Sequence, residues 1–310
     1  FDKKKSTYWM PVDVYIGGAE HACMHLIYAR FFTKALRDLG FVKCDEPFTK
    51  LFNQGMLHGE DGHVMAKSRG NVINPLDSIK QFGADALRLF LVSVAAPDKD
   101  FAWSSSGLES IAKIIKRIPL LFDNLKLGKS SKKVESKINK AIKELSEDIA
   151  SFDYNLAVIK LRKLVEYFSQ VDEMAKVDAE SFLKLFHPFC PHLTEELWGK
   201  IGNKPFISLA DWPKCDEKKI DKKFDQEEEL ISKTQRDIAH VKELLKLEKP
   251  KVYIYCIPPE VKIFEEQQEF LTSVTGSGFV KVFASNAKDI VDPKKKATKA
   301  KPGRPSIYLE

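Results

Sequence analysis

Three residues near the start of the chain have the types and spacing to bind a metal ion or to line a ligand pocket. Glu20 and His21 follow a pair of glycines, and His25 comes four residues after His21. Residues four apart in an α-helix share one face, so a helix here would bring both imidazoles together. In the zinc-binding pattern H-E-x-x-H the glutamate lies between the histidines and acts as a base, whereas Glu20 precedes both. We therefore expect no metal ion, and two interpretations remain: packed histidines, or a pocket for an organic ligand.

The elements around these residues predict where such a pocket would lie. Residues 12–16 predict a short β-strand that ends at Gly17 and Gly18, and apolar residues at helical spacing predict a helix that ends at Gly40. A strand, a glycine turn and a helix are the unit of a parallel α/β sheet, whose ligands bind at the carboxyl ends of the strands. Glycines let the backbone approach a ribose or phosphate, and the Glu20 carboxylate can accept hydrogen bonds from sugar hydroxyls.

A second stretch, GEDGHVMAKSRGNVINP at residues 59–75, places a lysine beside a glycine-rich turn. A lysine on a mobile loop, such as Lys67, can neutralise the charge that develops on the phosphates of a nucleotide as pyrophosphate leaves. An ordinary polar loop would also be consistent with each of these residues taken singly.

The rest of the chain predicts a helical region followed by a small α/β module. After a strand at 51–57, Asp77 is a candidate cap for a short helix, and Ser106 with Glu109 forms a candidate capping box for a longer one. The further expected helices cover 84–94, 132–149, a segment from Asp153, 182–198 with a break around Pro188 and Pro191, and 225–248.

The C-terminal residues predict two strands, 251–257 and 279–284, on either side of a short helix at 258–271. The basic segment 292–305 predicts a flexible loop, with nucleic-acid contact as the alternative. The predicted fold class is therefore α/β plus all-α: the second half of a Rossmann-type parallel sheet, then a helical bundle, then a small α/β module.

Composition limits the class of protein. The 310 residues carry a net charge of +6, which permits an anionic partner without requiring one. The five cysteines are scattered and form no C-x-x-C pair, which favours a reducing, cytoplasmic location. No apolar run has the length of a membrane span, so we expect no membrane association.

Several motifs resemble those of a known family. MAKSRGNVINP resembles the K-M-S-K-S-(K/R)-G-N signature of class I aminoacyl-tRNA synthetases. VDVYIGGAEHACMHLIYARFF, together with DEPF and FGADALRLF, resembles leucyl-tRNA synthetase in particular. FCPHLTEELW and the later DWP are similar to the anticodon-binding bundle of that family.

The resemblance implies an ATP-dependent leucine–tRNA ligase with leucine and the leucine tRNA as partners and Mg²⁺ arriving with ATP. It also implies a role for individual residues. Gly17, Gly18 and Glu20 are implied to contact the adenosine part of ATP, and His21 and His25 are implied to line the leucine pocket. Met65, Lys67 and Ser68 are implied to contact ATP from the signature loop, with Lys67 as the catalytic group on the phosphates.

Two departures from the family pattern limit this expectation. Val64 and Ala66 stand where the signature has its first lysine and first serine, which predicts weaker function of the loop. The other signature of the family, H-I-G-H, and its editing insertion occur nowhere in the 310 residues.

The chain is therefore expected to be the C-terminal half of such an enzyme, with an N-terminal half as its partner and no full activity alone. The expected domains are 1–103 for half of the catalytic domain, 104–223 for the anticodon-binding bundle and 224–310 for a C-terminal tRNA-binding module. The alternative is a non-catalytic tRNA-binding or assembly protein derived from a synthetase.

Overall fold

In the computed structural model, which describes residues 1–287 and 290–310, the chain divides into two units, Phe1–Ile220 and Asp221–Glu310. The first contains short parallel β-sheets followed by a helical bundle, and the second contains a three-stranded sheet with helices. The predicted α/β plus all-α class is confirmed. Among the described residues, no helix combines the length and apolarity needed to cross a bilayer.

The start of the first unit is built from two pairs of parallel strands. Strand β1 pairs with β2, and β3 pairs with β4, each pair joined by a helical connection. The elements, in chain order, are α1 (Lys3–Trp9), β1 (Tyr15–Gly18), α2 (His25–Asp38), β2 (Leu51–Gln54), β3 (Leu57–His58), α3 (Pro75–Phe82), α4 (Ala84–Ser93) and β4 (Phe101–Ala102).

The strands differ from the prediction at both ends. Strand β1 begins at Tyr15 rather than at residue 12, and it includes both glycines. The strand predicted at 51–57 is two strands, because Gly55 lies against the chain at Lys99 so closely that a Cβ would overlap the Lys99 backbone. Before β1 the chain forms α1, capped by the Asp2 carboxylate, which accepts hydrogen bonds from two backbone N–H groups.

The helical bundle holds the largest core of the protein. Phe182 is 1% exposed, and its ring centroid lies 5.5 Å from that of Phe168 and 4.8 Å from that of Phe186. The predicted break between two helices around Pro188 is confirmed. The elements are α5 (Ser105–Asn124), β5 (Lys126–Leu127), α6 (Lys132–Ser151), α7 (Tyr154–Phe168), β6 (Glu173–Met174), α8 (Lys176–Phe186) and α9 (Pro191–Lys200).

Two predicted helix caps are wrong. Helix α3 is capped by Asn74, whose side chain accepts from the Leu76 N–H at 3.1 Å, and not by Asp77. Helix α5 begins after Ser104, whose hydroxyl accepts from the Gly107 N–H at 3.1 Å, so the capping box predicted at Ser106 and Glu109 is not formed. Each true cap lies two or three residues before the predicted one.

Helix α9 is capped from a distant part of the chain. Its own N-cap residue, Cys190, makes no side-chain capping hydrogen bond. The buried Asp85 of α4 takes that role, since its Oδ2 accepts from the Leu193 N–H at 2.7 Å. We expect Asp85→Ala to lower the free energy of unfolding by about 1–2 kcal/mol, because it leaves an end of α9 unsatisfied.

Urea unfolding followed by the fluorescence of Trp198, which lies on α9, measures this loss. Asp77→Ala is the matched control, because Asp77 is an exposed aspartate in the first turn of α3. Equal stability of the Asp85→Ala variant and the parent would contradict the remote cap.

The second unit packs helices on one face of its sheet. Strand order is β8-β7-β9, with β7 parallel to β8 and antiparallel to β9. Both predicted strands are observed, whereas β9 was not predicted. The elements are α10 (Lys222–Leu244), β7 (Lys251–Cys256), α11 (Val261–Glu266), α12 (Gln268–Thr275), β8 (Phe279–Ala284) and β9 (Ser306–Leu309).

The basic segment 292–305, predicted as a flexible loop, has a defined path across the other face of this sheet. Ala297 is 3% exposed and packs with Tyr253 and Tyr255. The Asp292 carboxylate accepts from the N–H groups of Lys296 and Ala297, at 2.7 Å each. A buried anchor and a local cap therefore fix the segment while its lysines face outward.

Candidate active site

Gly17 and Gly18 form the carboxyl end of β1, where they pair with Asn53 and Gln54 of β2. A Cβ at Gly18 would overlap the Glu20 carboxylate, which lies back over this glycine. The structure therefore brings together Gly17, Gly18 and Glu20 at the end of a parallel strand. Such an end presents backbone groups and one carboxylate to a ligand.

His21 and His25 do not share a helix, so the predicted helical pairing is wrong. A short 3-10 helix covers Ala19–Cys23, and α2 begins only at His25. The break falls at Met24, whose φ of −118° and ψ of −102° are not helical. The two imidazoles nevertheless lie near each other, with ring centroids 6.0 Å apart and planes at 89°.

Two aromatic residues that the sequence analysis did not single out complete this cluster. The Tyr15 ring lies 5.4 Å from that of His25 and 4.7 Å from that of Phe48. The Nδ1 atom of His21 is buried and has no hydrogen-bond partner among the described residues. The cluster can therefore offer an aromatic wall to a ligand. Tyr15 was recognisable only as a residue of the predicted strand.

The loop that contains Lys67 follows directly after a small hairpin. The Gly59 N–H donates to the His63 carbonyl at 2.8 Å, and His58 and Val64 form an antiparallel bridge. The following turn, Lys67–Arg69, is a single turn of 3-10 helix that ends at Gly70, whose φ is +68°. Only glycine adopts that φ freely, which accounts for Gly70 at this position.

The predicted loop residues differ in exposure. Lys67 and Ser68 are exposed on the 3-10 turn, whereas Met65 is half-buried and packs against the core of the first unit. Met65 therefore anchors the loop, and Lys67 and Ser68 are free to meet a ligand. The side chain of Val64, which replaces a lysine of the family signature, is exposed on the hairpin.

Asn71 holds the loop together, a role that the sequence analysis missed. Its Oδ1 accepts from the Ala66 N–H at 2.8 Å, directly before Lys67. Its Nδ2 donates to the Asp61 carboxylate at 3.1 Å and to the Val64 carbonyl at 3.3 Å. Hydrogen bonds from the His63 N–H and then from this amide lower the pKa of Asp61. The sequence feature that could have predicted this role is the asparagine that follows Arg69 and Gly70.

The glycine end and the Lys67 loop belong to separate sheets. Gly17 and Gly18 lie in the β1–β2 pair, and the hairpin follows directly from β3 in the β3–β4 pair. Within residues 1–287 and 290–310, no three or more His, Cys, Asp or Glu side chains are grouped as metal ligands would be.

This arrangement matches known proteins. Residues 2–104 match the family model described as tRNA synthetases class I (I, L, M and V), and residues 131–254 match the model described as the anticodon-binding domain of tRNA ligase. Together the two matches cover most of the chain. The chain therefore contains one region similar to the class I tRNA synthetases and one region similar to the anticodon-binding domain of tRNA ligases.

Individual synthetases of known structure are also similar to the chain. The chain is similar to the agnB2 leucyl-tRNA synthetase of Agrobacterium radiobacter K84, which was solved in a ternary complex with tRNA and LeuAMS. The two chains are 28% identical with a TM-score of 0.65, and the match covers 83% of this chain and 33% of that one. This chain thus spans about a third of that relative. Mycobacterium tuberculosis methionyl-tRNA synthetase with methionyl-adenylate matches at 17% identity and a TM-score of 0.46 over 64% of this chain and 45% of that one.

Proposed function

We propose that the chain is the C-terminal part of a leucine–tRNA ligase and contributes half of the site that forms leucyl-adenylate and transfers leucine to tRNA. The observation that carries this proposal is the exposed Lys67 on a glycine-ended turn that Asn71 braces, within the region that matches the class I synthetases. A braced loop with an exposed lysine suits a group that must meet phosphates late in a reaction.

The proposed reaction has two steps. The leucine carboxylate attacks the α-phosphorus of ATP and pyrophosphate leaves. A hydroxyl of the terminal adenosine of the tRNA then attacks the leucyl carbonyl and AMP leaves. In the first step the Lys67 ammonium offsets the negative charge that builds on the departing phosphates, with Ser68 and Met65 in the same loop. Mg²⁺ enters with the phosphates of ATP.

In this proposal the substrate contacts lie at the carboxyl end of β1. Gly17 and Gly18 would lie beside the adenosine, and the exposed Glu20 carboxylate, which lies over Gly18, would accept hydrogen bonds from ribose hydroxyls. His21 and His25 line the leucine pocket beside the aromatic wall of Tyr15, which suits an apolar side chain.

The partner in this proposal is an N-terminal half that carries the H-I-G-H signature and the editing insertion. The outer face of helix α2 supports this partner, because it exposes Ile27, Tyr28 and Phe31. The side chains of Tyr28 and Phe31 are each about two-thirds exposed. A paired strand such as β1–β2 is marginal as an isolated two-stranded sheet and gains from further strands and from cover. The N-terminal half would supply both.

The remaining domains are assigned to tRNA. In this proposal residues 1–103 form half of the catalytic domain, 104–223 the anticodon-binding bundle and 224–310 a module that contacts the leucine tRNA. The fixed segment 292–305 supports the last assignment, since it directs lysines outward over a buried anchor. We place the protein in the cytoplasm, where its free cysteines stay reduced.

Val64 and Ala66 favour a second candidate, a non-catalytic tRNA-binding or assembly protein derived from a synthetase, because they remove a cation and a hydroxyl from the signature. The loop around Lys67 is nevertheless fully built, which a pure binding module does not need.

Leucine-dependent ATP–pyrophosphate exchange separates these candidates. The chain is assayed alone and mixed with a leucyl-tRNA synthetase N-terminal half that carries H-I-G-H, after size-exclusion chromatography has shown that the two assemble. We expect exchange only in the mixture and only with leucine. Exchange with isoleucine, methionine or valine instead would reject leucine as the substrate. An assembled but silent mixture would favour the non-catalytic protein.

A further inference from the structure

The tip of the hairpin before the Lys67 loop is tied to the first helix of the bundle by a carboxylate, while its base pairs with β4 just before that helix. Glu60 lies at the tip of the hairpin formed by residues 58–64, and its Oε1 accepts from the Ser105 N–H at 3.1 Å. Ser105 is the first residue of α5, a helix of 20 residues that runs into the bundle core. The hairpin and α5 are thus joined across 45 residues of chain.

The chemistry of this contact suits a carboxylate. The first N–H groups of a helix have no partner within the helix, and the N-terminus carries partial positive charge. The capping hydroxyl of Ser104 already satisfies Gly107, so Glu60 takes a different donor. Hydrogen bonds from the Ser105 hydroxyl and then from its N–H lower the pKa of Glu60, so the carboxylate is ionised at neutral pH.

The same hairpin is fixed at its other side by Asn71. Its amide binds the carboxylate of Asp61, the neighbour of Glu60, and the N–H of Ala66, the neighbour of Lys67. A chain of contacts therefore runs from α5 through Glu60 and Asp61 to Asn71 and the residue beside Lys67. With Glu60 removed, Asn71 would still join the parts of the loop to each other, but the tip would lose its link to α5.

We propose that Glu60 is a positioning residue that sets the place of the Lys67 loop relative to the bundle by holding the hairpin tip on the N-terminus of α5. This role rests on the proposed function, in which Lys67 acts on the phosphates of ATP. It adds α5 to Met65, which packs against the core, as a point at which the bundle constrains the loop that carries Lys67.

Limited trypsin digestion of the chain alone tests the contact without any activity. Trypsin cleaves after Lys67 and Arg69, and its rate follows local opening of the loop. We expect Glu60→Ala to raise the cleavage rate about three- to tenfold, the range for losing one typical hydrogen bond at an exposed site. Glu109→Ala is the matched control, because Glu109 is an exposed acid further along α5.

Ser105→Pro removes the donor in place of the acceptor. Proline is well tolerated at the first position of a helix, and the extended Ser104, with φ of −139° and ψ of 108°, suits a residue before proline. We expect Ser105→Pro to raise cleavage as much as Glu60→Ala does, and the double variant to exceed neither. Ser105→Ala, which keeps the N–H, should retain part of the protection.

Pyrophosphate exchange in the mixture with the N-terminal half tests the positioning role. We expect Glu60→Ala to lower kcat about three- to tenfold with little change in the KM for leucine and an unchanged unfolding midpoint. Parental cleavage and kcat in Glu60→Ala, or additive effects in the double variant, would overturn the proposal. Faster cleavage with parental kcat would reduce Glu60 to a structural contact. A silent parental mixture would reject the proposed function, whereas the digestion would still decide whether Glu60 holds the loop.

Discussion

Lys67→Ala is expected to lower kcat for leucine-dependent pyrophosphate exchange in the mixture about 100- to 1,000-fold, the range for removing one charge-stabilising donor from a transition state. The exposed ammonium lies on a turn that Asn71 braces, so it can meet phosphates without the loop having to order first. With the first lysine of the signature replaced by Val64, no second ammonium at that position shares the task. The measurement is the exchange rate at saturating ATP and leucine.

Two variants make this result specific. Lys67→Arg keeps the charge and should recover part of the rate, because a guanidinium also binds phosphate. Lys80→Ala removes an exposed lysine from the nearby helix α3 and should leave the rate at the parental value. A loss in Lys67→Ala no larger than that in Lys80→Ala would show that Lys67 does not act on the phosphates.

Phe182→Ala is expected to lower the free energy of unfolding of the first unit by about 3–5 kcal/mol, as for other fully buried phenylalanines. The Phe182 ring packs against Phe122, Phe168 and Phe186. Its removal leaves a cavity that rigid helices cannot close. All four tryptophans of the chain lie in this unit, so urea unfolding followed by tryptophan fluorescence reports it directly.

Phe206→Ala is the control for this substitution, because Phe206 is 60% exposed and should change stability by about 0.5 kcal/mol or less. Phe182→Leu preserves more of the volume and should lie between the two. If Phe182→Ala and Phe206→Ala unfold at the same urea concentration, the aromatic cluster does not dominate the core.

Elements with a strong local pattern were predictable. Strand β7 is a continuous apolar run between a proline and a turn, and α6 alternates charged and apolar residues at helical spacing, so local propensity and burial agree. Strand β9 escaped prediction because its four residues follow a basic segment, and it is defined by its pairing with β7, which includes Tyr253 with Tyr308 and Ile254 with Ile307. Pairing between distant residues is not visible in a local window.

The candidate site also contains some features that the local sequence predicts and others that it does not. Lys67, Gly17 and Gly18 could be found because they belong to short contiguous motifs. The helix break at Met24, the approach of Phe48 to Tyr15 and the cap that Asp85 gives to α9 could not, because each depends on a tertiary contact. The caps of α3 and α5 were misplaced because more than one residue of a capping type lies near each helix start: Asn74 and Asp77 at α3, and Ser104, Ser105 and Ser106 at α5.

The exposed apolar face of α2 bears on how much of this chain a cell can keep folded. A segment that buries such a face only on association has a stability set by mass action: a partner at about 100 times its dissociation constant adds about 2.7 kcal/mol. In the proposed pair, the supply of the N-terminal half would then govern the survival of this chain. Copies made in excess would display Tyr28 and Phe31 to chaperones and proteases, so the quality-control system of the cell would hold the two in balance without any dedicated regulator.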